Sequence, residues 1–131
     1  MTIFVFGNQD HFEDSLALLV SKKINIPDIS FEIIPPNDDL PTPDSKSVTI
    51  LDTVYGIDKI TLITEKDLDK IIPSPRTTAH DYDLSFQLKY LLKLGKLEKI
   101  NIIGLPYEGS VDYDLIHSIL RKLVAQDIQG S

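Results

Sequence analysis

Five short runs rich in Ile, Leu, Val and Phe are spread along a chain of 131 residues, separated by helical patterns and polar loops. That alternation constrains the fold more than any other feature. A run such as Ile3-Phe4-Val5-Phe6 has no polar side to turn to water, so it reads as a strand buried on both faces. Strands of that kind belong to parallel sheets covered by helices. The runs are Ile3–Phe6, Phe31–Ile34, Val48–Leu51, Ile60–Ile63 and Ile100–Leu105. Between them, Leu16, Leu19, Val20 and Ile24 predict a helix over Asp14–Ile24. Leu84, Leu88, Leu91 and Leu92 predict a second, with Asp81 or Asp83 as its cap and Gly95 as its stop. Leu115, Ile116, Ile119, Leu120, Leu123 and Val124 predict a third over Asp112–Ala125. Glu65–Ile72 reads as one or two helical turns, and the four prolines between Pro35 and Ser47 make a helix there unfavourable. At about 100–200 residues per domain, residues 1–131 form one domain. The expected architecture is α/β: a three-layer sandwich around a mostly parallel five-stranded sheet.

Composition removes several function classes. With 20 acids against 13 bases the net charge is −7, which disfavours nucleic acid as a partner, since phosphates need a basic face. There is no cysteine, hence no disulfide, no thiolate metal site and no cysteine nucleophile. The dinucleotide glycine fingerprint, the phosphate-binding loop and the G-x-S-x-G nucleophile elbow are all absent. No apolar run approaches the ~18 residues of a membrane span. No basic segment or small-residue cleavage site accompanies Thr2–Phe6, so no signal peptide is read and a cytoplasmic location is expected. Core assignment leaves no spare apolar stripe, so a monomer is expected.

Ligands of open α/β sheets gather beyond the C-terminal ends of the strands. Three residues fall there. Asp14 follows the first strand, and with Glu13 it can also simply complement a helix dipole. Asp52 follows the third strand, either as a ligand or as an Asx-turn or cap. His80 closes the Pro73–Ala79 loop before a helix, where a solvated or weakly capping imidazole is the plainer reading. Taken together, two carboxylates and one imidazole at one sheet edge make a divalent-ion site. Mixed oxygen and nitrogen donors suit zinc or nickel better than magnesium or calcium.

The order of these features resembles the endopeptidases that mature the large subunit of nickel–iron hydrogenases. The matching elements are Gly7-Asn8 after the first strand, the acidic pair Glu13-Asp14 and the strand-closing Ile50-Leu51-Asp52. They continue with Thr77-Thr78-Ala79-His80, the Leu84–Leu94 helix, Gly95 and Ile100–Gly104-Leu105-Pro106. Ser15 and Ala17 stand where the family has glycines, and Pro35-Pro36-Asn37-Asp38-Asp39 replaces its glycine-rich turn. The helix between the second and third strands is missing. The resemblance implies a phosphorylase/hydrolase-like sheet of the hydrogenase maturation endopeptidase type. It implies a cytoplasmic aspartyl-type protease that removes the C-terminal tail of a nickel-loaded large-subunit precursor. Asp14, Asp52 and His80 would read the nickel, which the substrate carries, and Asp14 or Asp52 would serve catalysis. Two other readings stand beside it. A non-catalytic α/β binding module, a degenerate protease, would dock a hydrogenase-like subunit without cutting it. A phospho-receiver would use Asp52, but needs an acidic pair after the first strand and a lysine after the fifth; Gly7-Asn8 and Gly104-Leu105-Pro106 stand there.

Overall fold

The computed structural model describes residues 1–6, 12–35, 40, 45–54, 56–70, 79–106 and 111–130; within these, the side chains of 12–15, 70, 79–83 and 127–130 are left aside. The five strands are β1 (Thr2–Phe6), β2 (Ser30–Ile34), β3 (Ser47–Val54), β4 (Thr61–Thr64) and β5 (Lys99–Pro106). The helices are α1 (Phe12–Lys23), α2 (Ala79–Lys93) and α3 (Tyr113–Gly130), with a 3₁₀ helix at Glu65–Lys70. One sheet runs in the order β2-β1-β3-β5-β4, parallel except for β4, which is antiparallel to β5. The expected mostly parallel α/β sandwich is what forms.

Connection lengths explain the directions. Six residues join β3 to β4, too few to return the chain to the starting edge of the sheet. β4 therefore runs back down, leaving the place beside β3 to β5. Twelve residues join β2 to β3, about the minimum of a dozen for a parallel crossover. Leu40, midway along that connection, is buried, and its N–H donates to Gln87 Oε1 of α2 at 3.4 Å.

Side-chain alternation divides the core into two layers. Phe4, Phe6, Val48, Ile50, Ile100 and Ile102 face α2, meeting Leu84, Leu88, Leu91 and the buried Leu40. Ile3, Val5, Leu51, Ile103 and Leu105 face α1 and α3, meeting Ala17, Val20, Ile116, Leu120 and Leu123. Thus, among the described residues, α2 with Leu40 and Leu68 of the 3₁₀ helix covers one face, while α1 and α3 cover the other.

Helix ends follow local chemistry. Asp112 caps α3 by accepting the Leu115 N–H at 3.0 Å. α2 stops at Gly95, in the left-handed region with φ 74°. The Gly95 N–H donates to the Leu92 carbonyl at 3.1 Å and the Lys96 N–H to the Leu91 carbonyl at 3.0 Å, which is the Schellman arrangement. A Cβ at Gly95 would meet nothing within 4 Å, so Gly95→Ala should cost only backbone strain, about 1 kcal/mol. Urea unfolding should show a lower midpoint at unchanged slope.

Three sequence expectations are corrected. Leu19 and Leu115, placed on buried stripes, are exposed; Ala17, Leu18 and Ser21 of α1 are buried beside Val20, as is Ile24 just after the helix. α2 starts at Ala79, so Asp81 and Asp83 lie inside its first turns and are not its cap. An apolar stripe is left over after all: Phe86, Tyr90 and Leu94 remain exposed on α2.

Candidate functional site

β1 ends at Phe6, one residue beyond its Val5–Leu51 pairing with β3. β3 continues to Val54, held extended by β5 through the Asp52–Gly104, Thr53–Leu105 and Val54–Pro106 pairs. Asp52 is therefore not the residue that closes its strand, as the sequence suggested. It lies two residues inside the end of β3, level with the end of β1. Its phase with Ile50 and Val54 puts it on the face covered by α2.

The Asp52 side chain is buried, 8% exposed, and its Oδ1 accepts the Thr53 N–H at 2.9 Å. Past Phe6, β3 has no further pairing with β1, and Asp52 serves a backbone donor in that stretch. This bond to the next residue within the strand is a structural duty, though not the Asx-turn or the cap on a following segment that the sequence offered. A carboxylate this deep keeps its place only with partners of this kind.

Gly104, level with Asp52 on β5, makes close packing possible beside it. A Cβ there would lie 3.1 Å from Val54 Cγ2, 3.3 Å from Ile57 Cδ1 and 3.3 Å from the Thr61 carbonyl oxygen. Thr53, 3% exposed, faces the α1 side, and its Oγ1 is buried without a hydrogen-bond partner. Thr53 was not singled out in the sequence, and Gly104 entered only as part of the Gly104-Leu105-Pro106 motif. The only available signal was a hydroxyl and a side-chain-free position inside otherwise apolar strands.

The other two sequence candidates are placed by their backbones only. Asp14 is the third residue of α1, which begins after β1 and packs on β1 and β3. It stands at the C-terminal edge of the sheet, above the face opposite to that of Asp52. His80 is the second residue of α2, not the last of a loop. Residues 94–98 join α2 to the start of β5 at the lower sheet edge, so the first turn of α2 lies toward the upper edge. His80 and Asp52 thus belong to the same face and the same edge. The side chains of Asp14 and His80 lie outside the described residues, as do Gly7-Asn8 and Thr77-Thr78. Among the described residues no group of three His, Asp or Glu side chains could hold a metal ion.

No protein-family model matches the sequence, and no curated protein matches it. Among solved structures, the chain is similar to a hydrogenase 2 maturation peptidase from Thaumarchaeota archaeon SCGC_AB-539-E09. The two share 18% identity over 97% of each chain, with a TM-score of 0.46.

A separate cleft of about 800 Å³ opens at the opposite, N-terminal edge of the sheet, lined by residues including Phe4, Glu32, Lys46, Glu65 and Asn101. Its polar groups serve the fold. Glu65 Oε2 accepts the Ile100 N–H at 3.1 Å, and the Lys46 carbonyl accepts the N–H groups of Glu98 and Lys99. The α2–β5 turn is anchored there by the left-handed Lys46. Among the described residues no helix is long and apolar enough to cross a membrane.

Proposed function

We propose that the chain is an endopeptidase that removes the C-terminal tail of a nickel-loaded hydrogenase large-subunit precursor. The observation that carries this reading is the buried Asp52 carboxylate, level with the end of β1 on the face whose upper edge receives the first turn of α2 and His80. The ordered motifs around Asp14, Asp52 and His80 add to it, as does the lie of their backbones toward the C-terminal edge of the sheet, where α/β sheets bind ligands.

In this reading the nickel is part of the substrate. Two carboxylates and an imidazole form a mixed oxygen and nitrogen set suited to it, and three ligands leave positions for the donors of the precursor itself. Docking on Asp14, Asp52 and His80 would hold the scissile peptide in place, so orientation is supplied by binding. Asp14 or Asp52 would then take a proton from the attacking water, the new bond forming from water oxygen to the carbonyl carbon as the C–N bond breaks. The departing amine would receive that proton.

The test is a cleavage assay on one precursor, with and without nickel, read by mass spectrometry of the released tail. Release only from the loaded precursor is the expected result. Stable binding of the loaded precursor with no tail released would replace the endopeptidase by the binding module. Equal cleavage of both forms would remove nickel from the recognition step.

A further inference from the structure

Among the described residues, the outer face of α2 and the residue just after it carry the most exposed row of large apolar side chains. Phe86, Tyr90 and Leu94 are 65%, 54% and 50% exposed. They are spaced four residues apart, which makes them one ridge of the helix surface about 12 Å long. The inward face of the same helix is already used by Leu84, Leu88 and Leu91. The helix cannot roll to bury the ridge without exposing these.

The charge around the ridge runs against the rest of the chain. The protein carries 20 acids and a net charge of −7, yet residues 84–97 contain no acid and three lysines, Lys89, Lys93 and Lys96. Lys89 pairs with Asp69 at 2.9 Å. Lys93 and Lys96 are exposed and have no ion pair among the described residues. An apolar ridge bordered by exposed lysines selects for an apolar surface bordered by anions.

We propose that this face docks an amphipathic helix of a partner protein whose apolar ridge is bordered by aspartate or glutamate. A row of residues four apart is the ridge that interdigitates in the commonest class of helix–helix packing, which favours a helical partner. Phe and Tyr supply the anchors, and the lysines form a polar rim. A second copy would bring the same acid-free stretch 84–97 to this face, and that stretch holds no anion to meet Lys93 and Lys96. An anionic membrane presents a plane to the whole acidic molecule, whereas one helix touches only this patch. The proposal uses no residue of the site assigned to cleavage, so either reading can fail without the other.

The test uses the full chain, ¹⁵N-labelled, titrated with a synthetic 18-residue amphipathic helix whose leucine face is flanked by glutamates. A control peptide keeps the leucines and replaces each glutamate by lysine. Binding should perturb the amides of residues 84–97, and the control should bind at least about tenfold more weakly. Phe86→Ser, Tyr90→Ser and the double change Lys93→Glu/Lys96→Glu should each weaken binding by about tenfold or more, while Lys93→Arg/Lys96→Arg should not. These positions are exposed, so the variants should remain folded, which the spectra report directly. Equal affinity for both peptides, perturbations elsewhere, or no binding at about 1 mM peptide would overturn the proposal. So would affinity for phosphatidylglycerol vesicles instead of the peptide, or a concentration-dependent dimer abolished by Phe86→Ser.

Discussion

Asp52→Asn should leave the chain folded and lower tail release from a nickel-loaded precursor by about 100-fold or more. The substitution separates two duties of one side chain. Asp52 Oδ1 accepts the Thr53 N–H beyond the end of β1, and an asparagine carbonyl oxygen can accept the same bond. The amide is also neutral, so it carries no charge-burial cost at an 8% exposed position. Unfolding free energy should therefore change by no more than about 1 kcal/mol. What asparagine lacks is the negative charge and basicity needed to bind a divalent cation or take a proton from water. Full cleavage by Asp52→Asn, measured beside an unchanged urea midpoint, would show that Asp52 is only a backbone cap. Asp52→Ala removes both duties and cannot make this distinction.

Leu88→Ala should have the largest effect on stability, a loss of about 3 kcal/mol. Leu88 is fully buried and lies midway along α2, between Leu84 and Leu91 in the layer against Phe4, Ile50 and Ile102. Among the described residues α2 is the sole α-helix on that face, beside Leu68 of the short 3₁₀ helix, so little can shift to close the cavity. Against a total of about 5–15 kcal/mol for a domain, that loss is a large fraction. Equilibrium unfolding in urea should show a lowered midpoint, whereas Phe86→Ser on the outer side of the same helix should stay within about 0.5 kcal/mol of the parent. A small effect of Leu88→Ala would mean that α2 is loosely held. The position of His80 at its first turn would then not be a fixed feature of the site.

How much of this was legible in advance differs by element. The five strands and the Gly95 stop were readable because their causes are local: apolar runs demand burial, and a left-handed residue after a leucine-rich helix favours glycine. The reversal of β4 was also within reach, since six connecting residues cannot make a crossover. Asp52 was placed on the correct strand and near the correct edge, but at its end. Its true position depends on how far β5 accompanies β3, a long-range pairing with no trace near residue 52. The first turn of α2 was missed for a similar reason. Its apolar period begins at Leu84, so nothing periodic announces a helix that starts at Ala79.

By itself, then, the sequence determined the layered α/β class, the number of strands, the ends of α2 and α3 at Gly95 and Asp112, and the identity of the carboxylates and imidazole available for chemistry. These follow from hydrophobic periodicity and from single-residue backbone and capping preferences, which act over a few residues. Only the tertiary structure decided that Asp52 is buried beside Gly104, that it shares a face and an edge with the first turn of α2, and that Phe86, Tyr90 and Leu94 are left outside. Those depend on which strands become neighbours and on which side of α2 meets the sheet. Both are set by packing between segments far apart in the chain, where the free energy of burial is shared among many residues and local patterns are silent.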